Sequence, residues 1–423
     1  MDLDCGQPEL GVPGTLSLTI VSRPLIMDPP GHMVCGGSIG RITPSTIDDD
    51  ISGGERGGDH DDTTEHLASY FFGDVTSKSD PDAYVDMASR LMMRYRDLRS
   101  FTDSEDDFPI PLIVNTDGWV KGLGYEILSA IVRIVDPGHV VQIVGNTRAK
   151  NFDMSAHHDG GPGGDGRVIG TATDRRGRRL RSLRRIHVVR SFDGSSLVDD
   201  DNDRPLPTGT LLSTAYHRSH RLCAYFLGGY DAMSNLRPLI AGEDEAVSFL
   251  REKGLHDPNN VIGLTIASMT PYAVPFRYVR VYPPPGFMDG ATSPGSLWGV
   301  RGDTACDDVL ESLNGTIVGL CRDADAYDDA DHHTVFNARS GVPVLDCVGL
   351  GIIRGVDRLL GIFLVLTPVH PRLLEGATSF VGGNIHLPLE CVYRGVHSDS
   401  LPHMSCGHTL ASASSGSDAM KNR

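Results

Sequence analysis

The sequence has no two cysteines in a CxxC arrangement, although it contains eight cysteines in all. This spacing argues against a zinc site and against the disulfide framework of small secreted domains, so a reducing compartment fits best. The longest strongly apolar run, LLGIFLVL, is less than half a membrane span, and the N-terminus has no basic segment followed by an apolar one. We therefore expect a soluble intracellular protein without a membrane partner.

Charge is distributed unevenly along the chain. The formal net charge of −17 argues against an overall surface for polyanions. Acidic and glycine-rich tracts near positions 50, 160 and 200 contribute much of it, and we interpret them as surface insertions. Between Arg175 and Arg190, in contrast, there are eight arginines in sixteen residues and no acid.

Two stretches have the apolar spacing of helices. The first begins at Pro81, which suits a first helical turn, and its apolar residues are Tyr84, Met87, Leu91 and Tyr95. The second ends at Asp136–Pro137, and its apolar residues are Leu123, Ile127, Ile131 and Val135. In the arginine-rich block, Leu180, Leu183 and His187 could form one helical face, with the arginines on another.

Buried strands are predicted at residues 111–114 and 139–144, on either side of the second helix. This βαβ order predicts a parallel sheet with functional residues at the carboxyl ends of its strands. We expect the strand around Leu3 to lie next to these two. From about Ile266 onwards, short β-rich runs separated by Gly and Pro indicate a smaller β-rich domain. The predicted fold class is therefore α/β, with a β-rich C-terminal part.

Three segments have chemistry that goes beyond packing. In MDLDCGQPE, Asp2 and Asp4 would point to one side of a strand, as in enzymes that hold Mg²⁺ or orient a hydroxyl group, although such pairs are also common as solvated or capping residues. In PLIVNTDGWVKGLG, the turn presents N–H groups for an anion, and Trp119 could stack on a base or simply pack. The arginines could be a solvated face, a localisation signal or a phosphate-binding lid.

Taken in order, six segments resemble the nucleolar polynucleotide 5′-hydroxyl kinases of pre-rRNA processing, with a more distant similarity to the RNA kinase subunit of pre-mRNA cleavage and tRNA-splicing complexes. They are MDLDCGQPELGVPGTLSL, YFFGDVTSKSDPDAY, PLIVNTDGWVKGLG, LRSLRRIHVVRSF, SMTPYAVPF and VLDCVGLGIIRGVD with VLTPV. The resemblance implies a kinase core at 1–145, a lid region at 146–264, a β-rich domain at 265–395 and a disordered tail at 396–423.

The resemblance also implies roles for individual residues. Asp2 or Asp4 would bind the metal or act as base toward the RNA 5′-hydroxyl, and Arg181 and Arg184 would be lid arginines, for which Arg185 could substitute. The substrate side would consist of Gln7, Thr76, Asn115, Thr116 and Trp119. The implied cofactors are ATP and Mg²⁺, and the implied partners are the 5′-hydroxyl end of pre-rRNA and an endonuclease. The implied location is the nucleus and nucleolus.

The sequence contains no GxxxxGK[ST] motif, which the resemblance places before the DxDxGQxE strand. We therefore expect the chain as given to be a truncated or shortened kinase that binds ATP weakly and is inactive by itself. The alternative is a non-catalytic scaffold that binds RNA and docks an endonuclease. A GTPase fragment is a weaker alternative, because no NKxD motif is present.

Overall fold

The computed structural model describes residues 1–21, 24, 64–102, 110–144, 167–173, 179–190, 213–228, 266, 269–282, 313–323, 342–369 and 371–387. The acidic tracts near positions 50, 160 and 200 and the predicted tail at 396–423 lie outside these residues. The chain divides into two compact units, and each is described by itself. Unit one consists of residues 1–117 and 214–423, and unit two of residues 118–213. The predicted division of the chain into segments at 1–145, 146–264, 265–395 and 396–423 stays a prediction.

Unit one is built on a mixed sheet that combines strands from both ends of the chain. The described strands are β1 (Asp2–Leu3), β2 (Thr15–Val21), β3 (Thr64–Phe71), β4 (Asn115–Thr116), β8 (Tyr272–Pro275), β9 (Arg280–Tyr282), β10 (Ile317–Arg322), β11 (Asp346–Asp357), β12 (Ile362–Leu366) and β13 (Ser379–Gly382). Their order is β4-β1-β2-β3-β11-β10-β13-β9, and β12 pairs with both β11 and β8. The pairs β1–β4 and β9–β13 are parallel. The C-terminal runs predicted to be β-rich are thus confirmed as strands.

Both faces of this sheet are covered by apolar side chains. On β10, Ile317 packs in one buried cluster and Val318 in another, because successive side chains of a strand point to opposite faces. The first cluster includes Tyr225 from helix α3 (Thr214–Gly228). The Tyr225 hydroxyl accepts a hydrogen bond from the Leu350 N–H at 2.8 Å. Helix α3 is thereby fixed against β11.

Helix α1 (Pro81–Thr102) begins where the sequence predicts it. The Asp80 carboxylate accepts a hydrogen bond from the Ala83 N–H at 3.0 Å, which satisfies one of the free donors of the first turn. The four apolar residues that predict this helix are all buried, namely Tyr84, Met87, Leu91 and Tyr95. Across the described part of the chain, no helix has the length and apolar character that crossing a membrane requires.

Unit two contains helix α2 (Leu123–Val135) and a three-stranded sheet of β5 (His139–Val144), β6 (Arg167–Thr173) and β7 (Arg179–Arg190), in the order β5-β7-β6. Helix α2 confirms the second predicted helix. It ends at Val135, and the capping residue Asp136, just before Pro137, has a left-handed φ of 48°.

Two predictions about these strands are wrong. Residues 139–144 do not join the sheet of β1 and β4, and the block around Arg181 and Arg184 is the strand β7, not a helix. Residues 185–190 of this block pair in parallel with the whole of β5, and Ile186, Val188 and Val189 there are β-branched residues, which suit a strand. Strand β7 pairs with β5 on one edge and with β6 on the other, so two ladders of backbone hydrogen bonds stabilise the extended conformation.

The strand predicted at residues 111–114 begins later, at Asn115. Its expected parallel pairing with the strand around Leu3 is confirmed, since Asp2 faces Asn115 and Leu3 faces Thr116. The pairing covers only two residues because β1 ends at Leu3, beyond which the chain turns.

Burial of His66 on β3 predicts a pH dependence of stability. The ring is 5% exposed, its Nδ1 lies 3.2 Å from Thr19 Oγ1, and desolvation lowers its pKa from 6.5 to about 4. Below pH 6.5 the unfolded chain binds a proton at His66 that the folded chain excludes. The contribution of neutral His66 to the free energy of unfolding is therefore present above pH 6.5 and is lost as pH falls toward 4. A shift of this size corresponds to about 3 kcal/mol.

We expect wild-type protein to lose about 3 kcal/mol more stability between pH 7 and pH 4 than His66→Gln, measured by urea unfolding at each pH. The exposed His217, replaced in the same way, serves as the control and should follow wild type. If the stability of wild type and of His66→Gln changes in parallel with pH, the imidazole of His66 is not held in its neutral form by burial.

Candidate active site

The pairing of β1 with β4 brings two of the predicted site residues into direct contact. Asn115 donates a hydrogen bond from its side-chain amide to Asp2 Oδ1 at 3.0 Å, and Thr116 occupies the next register position beside Leu3. The buried Tyr84 hydroxyl of α1 donates to the Leu3 carbonyl at 2.6 Å. The start of the chain is therefore fixed on one side by β4 and on the other by α1.

The carboxylate of Asp2 is buried and its two oxygens are fully occupied. Oδ2 accepts the N–H groups of Glu9 at 2.6 Å and Leu10 at 3.2 Å, and Oδ1 accepts the Asp4 N–H at 3.3 Å in addition to Asn115. Desolvation raises the pKa of Asp2, although the hydrogen bonds from Asn115, Leu10 and Glu9 oppose this change. This arrangement makes Asp2 the group that closes the turn of residues 4–10.

Asp4 lies in that turn and is differently placed. Its Oδ1 accepts the N–H groups of Gly6 at 3.0 Å and Gln7 at 2.9 Å. Within the described residues, Oδ2 accepts no hydrogen bond, and the side chain is only partly buried. Of the two aspartates, Asp4 therefore has an oxygen available for a ligand.

The loop that follows β3 packs against this turn. A Cβ atom on Gly6 would lie 2.6 Å from the Val75 carbonyl oxygen, so only glycine allows the two loops to approach this closely. Asp74 Oδ1 accepts the N–H groups of Val75 at 2.6 Å and Thr76 at 3.2 Å, and Asp74 Oδ2 accepts the Asn384 side-chain amide at 3.1 Å. Thr76 is thus held on the loop that contacts the turn of Asp4 and Gln7.

Ser77 and Asp117 form a contact that the sequence did not predict. Ser77 is fully buried, and its hydroxyl donates to Asp117 Oδ2 at 2.5 Å across 40 residues of chain. Asp117 lies in the NTDGW turn, for which the sequence predicts N–H groups that face an anion but no contact of the Asp117 side chain. The contact joins the loop after β3 to the segment after β4.

Several carboxylates help to raise the pKa values of buried groups in this region. The pKa of Cys5 is raised above its ordinary value, mainly by burial and further by the charges of Asp117, Asp4 and Asp74. The pKa of Tyr84 is also raised, again mainly by burial and then by Asp117 and other neighbours. Three carboxylates therefore lie close enough to Cys5 to interact electrostatically, and they give this end of the sheet a negative potential.

Arg221 of α3 is a cation in the same neighbourhood that the sequence did not indicate. Its Nη2 lies 3.9 Å from Glu9 Oε2, and its side chain is 11% exposed. Burial lowers its pKa, whereas the charges of Glu9, Asp2 and Asp4 raise it. Arg221 thus balances part of the negative charge from the side of α3, 212 residues away from Glu9.

The remaining predicted residues lie in unit two. Trp119 is partly buried, and a Cβ on Gly124 would lie 2.7 Å from its ring, so its ring packs at the start of α2. Arg181 and Arg184 are on β7, opposite Thr171 and Val168 of β6. The structure thus brings together Asp2, Asp4, Gln7, Thr76, Asn115 and Thr116 in unit one.

Two family models match the chain. Residues 1–159 match the model described as mRNA cleavage and polyadenylation factor CLP1 P-loop, and residues 300–388 match the NOL9-like C-terminal domain. The mixed sheet with its parallel pair and helices is of the predicted α/β class, and the chain is similar to these two models over the matched residues.

Curated proteins similar to the chain include polynucleotide 5′-hydroxyl kinases named NOL9. The chain is 29% identical to the Arabidopsis thaliana protein over 92% of its own length and 77% of the relative. It is 25% identical to the Homo sapiens protein over 93% of its length, which is 45% of that relative. The resemblance predicted from the sequence is confirmed, and the chain spans less than half of the human protein.

Among solved structures, two of Clp1p with Pcf11p cover 91% of the chain and 66% of the matched chain. Their TM-scores are 0.47 and 0.46, at 16% and 15% identity.

The hydrogen bond from Asn115 to Asp2 can be tested by substitution. Asn115→Asp replaces a donor with a second carboxylate beside a buried one, so we expect it to lower the free energy of unfolding at pH 7 by about 2 kcal/mol or more. The loss should shrink as pH falls and one of the two carboxyl groups becomes protonated. Urea unfolding at pH 7 and pH 5 measures both effects.

Asn115→Ala is the matched control, because it removes the donor without adding a charge. It should cost less than Asn115→Asp at pH 7, and its cost should shrink less as pH falls, because only the pKa of Asp2 changes. Equal losses for the two variants at both pH values would mean that Asn115 does not face the Asp2 carboxylate.

Proposed function

We propose that this chain contributes the catalytic and acceptor side of a polynucleotide 5′-hydroxyl kinase, which transfers the γ-phosphate of ATP to the 5′-hydroxyl of RNA during rRNA processing. The main support is the geometry of Asp4, whose Oδ2 is available at the end of β1 while its Oδ1 is held by two backbone N–H groups. The names of the curated relatives support the same reaction.

Asp4 acts on the acceptor hydroxyl, and Asp2 positions it. A base must lie within hydrogen-bond reach of the proton it removes, and a carboxylate with one fixed and one available oxygen meets this requirement with little reorganisation. Asp2 cannot share this role, because its oxygens are occupied by the turn and by Asn115. We therefore assign to Asp4 the role that the resemblance leaves open between the two aspartates.

The residues present are compatible with Mg²⁺ without forming a complete metal site. Among the described residues, no group of three or more His, Cys, Asp or Glu side chains could hold a metal ion. Mg²⁺ is usually bound through one or two carboxylates together with substrate phosphates and water. Asp4 Oδ2 is the carboxylate oxygen that would bind it, as the alternative to the role of base. When bound with ATP, the ion would neutralise charge on the transferring phosphoryl group.

The other predicted residues have supporting roles in this proposal. Gln7 and Thr76, on loops that touch each other, contact the terminal nucleotide, as does Thr116. Asn115 is a positioning residue, since its amide donates to Asp2. Trp119 stacks on the RNA end, and Arg181 and Arg184 stabilise charge on the phosphoryl group.

The proposed setting is the nucleolus, with the 5′-hydroxyl end of pre-rRNA as substrate and an endonuclease as partner. An endonuclease that leaves a 5′-hydroxyl would supply the acceptor that this reaction consumes. The names of the curated relatives support the location, and the partner rests on the resemblance alone.

A non-catalytic scaffold that binds RNA and docks the endonuclease is the second candidate. The observation in its favour is that the 423 residues contain no GxxxxGK[ST] motif. Translation of the genomic sequence upstream of Met1 would find such a motif if the kinase proposal holds for the complete gene product.

Asp4→Asn tests the catalytic proposal. An amide oxygen can still accept the N–H groups of Gly6 and Gln7, so the turn should persist, whereas the basic oxygen is lost. We expect phosphate transfer to a 5′-hydroxyl RNA to fall by about 10²- to 10⁴-fold. Transfer is measured with γ-labelled ATP, using the 423-residue chain and, in parallel, the product of its reading frame extended upstream.

Asp2→Asn is the matched comparison, because it should lower stability rather than affect transfer selectively. If phosphate transfer survives the Asp4→Asn substitution, Asp4 is not the base. The kinase proposal would be contradicted, and the scaffold favoured, if the wild-type 423-residue chain and the wild-type extended product both bind RNA but transfer no phosphate.

A further inference from the structure

A cavity lies where strands β3 and β11 of unit one separate. Among the described residues, the two strands pair only through Tyr70 and Asp346. The cavity beyond this pair measures about 80 Å³, and its lining comes from β3 (residues 66–69), β11 (residues 346–348), α1 (Arg94) and β10 (Arg322). One water molecule needs about 10 to 15 Å³ of such space, so the cavity has room for several waters or for an anion of a few heavy atoms.

His66 gives this cavity a buried hydrogen-bonding group that lacks a partner. The residue is 5% exposed, and its Nε2 has no hydrogen-bond partner among the described residues. Its Nδ1 lies 3.2 Å from Thr19 Oγ1 on β2, and when the Thr19 hydroxyl donates to Nδ1, the proton of the neutral ring is on Nε2. Since β2 and the cavity lie on opposite edges of β3, Nε2 is on the cavity side of the ring. A buried N–H without an acceptor costs stability, so an acceptor inside the cavity is favoured.

Two exposed arginines supply positive charge at the same cavity. Arg94 Nη2 lies 3.6 Å from Asp346 Oδ2, and both side chains are about half exposed. Arg322 is exposed as well, and none of the ion pairs between described residues includes it. Burial lowers the pKa of His66 to about 4, so this ring is neutral at pH 7. Two arginines and one aspartate therefore leave the lining with a net charge of +1.

The charge of the lining decides which ligand fits the cavity. Two guanidinium groups oppose a metal ion, and among the described residues no group of three His, Cys, Asp or Glu side chains could hold one. An anion with a single charge balances the lining, whereas a doubly charged phosphate would leave one negative charge without a partner. A carboxylate matches the guanidinium fork with its two oxygens, and these oxygens have lone pairs left for the Nε2–H group of His66 and the buried Ser69 hydroxyl.

We propose that this cavity binds a small carboxylate anion, held by the guanidinium group of Arg322 and by the Nε2–H group of His66. The bound anion connects β3 with β10, and so joins the strands β4-β1-β2-β3 to the strands β11-β10-β13-β9 beyond the single pair of Tyr70 and Asp346.

This site is separate from the candidate active site. None of the residues that line the cavity belongs to the turn of Asp4 or to the loop of Thr76. The carboxylate therefore acts as a stabilising ligand of unit one and not as a substrate, and the site does not depend on the kinase proposal.

Thermal unfolding of the 423-residue chain in sodium acetate, compared with sodium chloride at equal ionic strength, tests the proposal. A ligand that binds only the folded state raises the unfolding midpoint, so we expect a saturable increase of about 2 °C at an acetate concentration ten times its Kd. Arg322→Gln removes the charge of an exposed side chain and should raise the apparent Kd for acetate about tenfold. His66→Phe keeps a ring but removes the Nε2–H group, and it should weaken acetate binding as well.

Arg90→Gln is the matched control. Arg90 lies one turn before Arg94 on α1, pairs with Asp86 at 3.3 Å and does not line the cavity, so its response to acetate should equal that of wild type. Acetamide, the neutral isostere of acetate, should shift the midpoint of none of these proteins, because it lacks the charge that the arginines bind.

The proposal would be overturned if wild type and Arg322→Gln respond equally to acetate, if Arg90→Gln loses the response, or if acetamide stabilises as much as acetate. Phosphate that raises the midpoint at a tenfold lower concentration than acetate would show that the site prefers a dianion and would refute the carboxylate. N-acetyl-trialanine, whose carboxylate is attached to a peptide, should stabilise the protein no more than acetate does, and a larger shift would refute the free anion in favour of a peptide. If His66→Phe does not fold, the comparison of Arg322→Gln with Arg90→Gln still decides.

Discussion

The buried carboxylate of Asp2 is the constraint on which the candidate site depends. A carboxylate taken out of water is costly unless it is well hydrogen-bonded, and here three backbone N–H groups and the Asn115 amide supply that compensation. The same bonds fix the turn that contains Asp4 and connect it to β4. Asp2 therefore determines the position of the Asp4 oxygen that we propose to act on the acceptor hydroxyl.

Much of the fold could be predicted from the sequence because the relevant patterns are local. Helices α1 and α2 show apolar residues at helical spacing, with Pro81 and Pro137 near their ends. The conformation of β7 could not be predicted in this way. Its leucines and arginines fit a helical pattern, and the strand exists because β5 and β6 pair with it, which no short window of sequence records.

For the candidate site, too, the local features could be predicted from the sequence and the long-range contacts could not. Asp2, Asp4 and Asn115 are parts of short motifs, and their meeting at the end of a parallel pair follows from topology. The pairing of Ser77 with Asp117 and the approach of Arg221 to Glu9 depend on side chains 40 and 212 residues apart. Periodicity and motif spacing contain no information on such contacts, so they emerge only once the chain is folded.

The mixed sheet of unit one also has a consequence for synthesis. Strand β3 pairs through Tyr70 with Asp346 of β11, and this pairing joins the block β4-β1-β2-β3 to the block β11-β10-β13-β9. At ribosomal rates of about 5 to 20 residues per second, β11 emerges roughly 15 to 55 s after β3. During that interval one edge of β3 lacks its neighbour and can pair with other chains. The nascent protein should therefore depend on chaperones that shield exposed strand edges until the C-terminal half arrives.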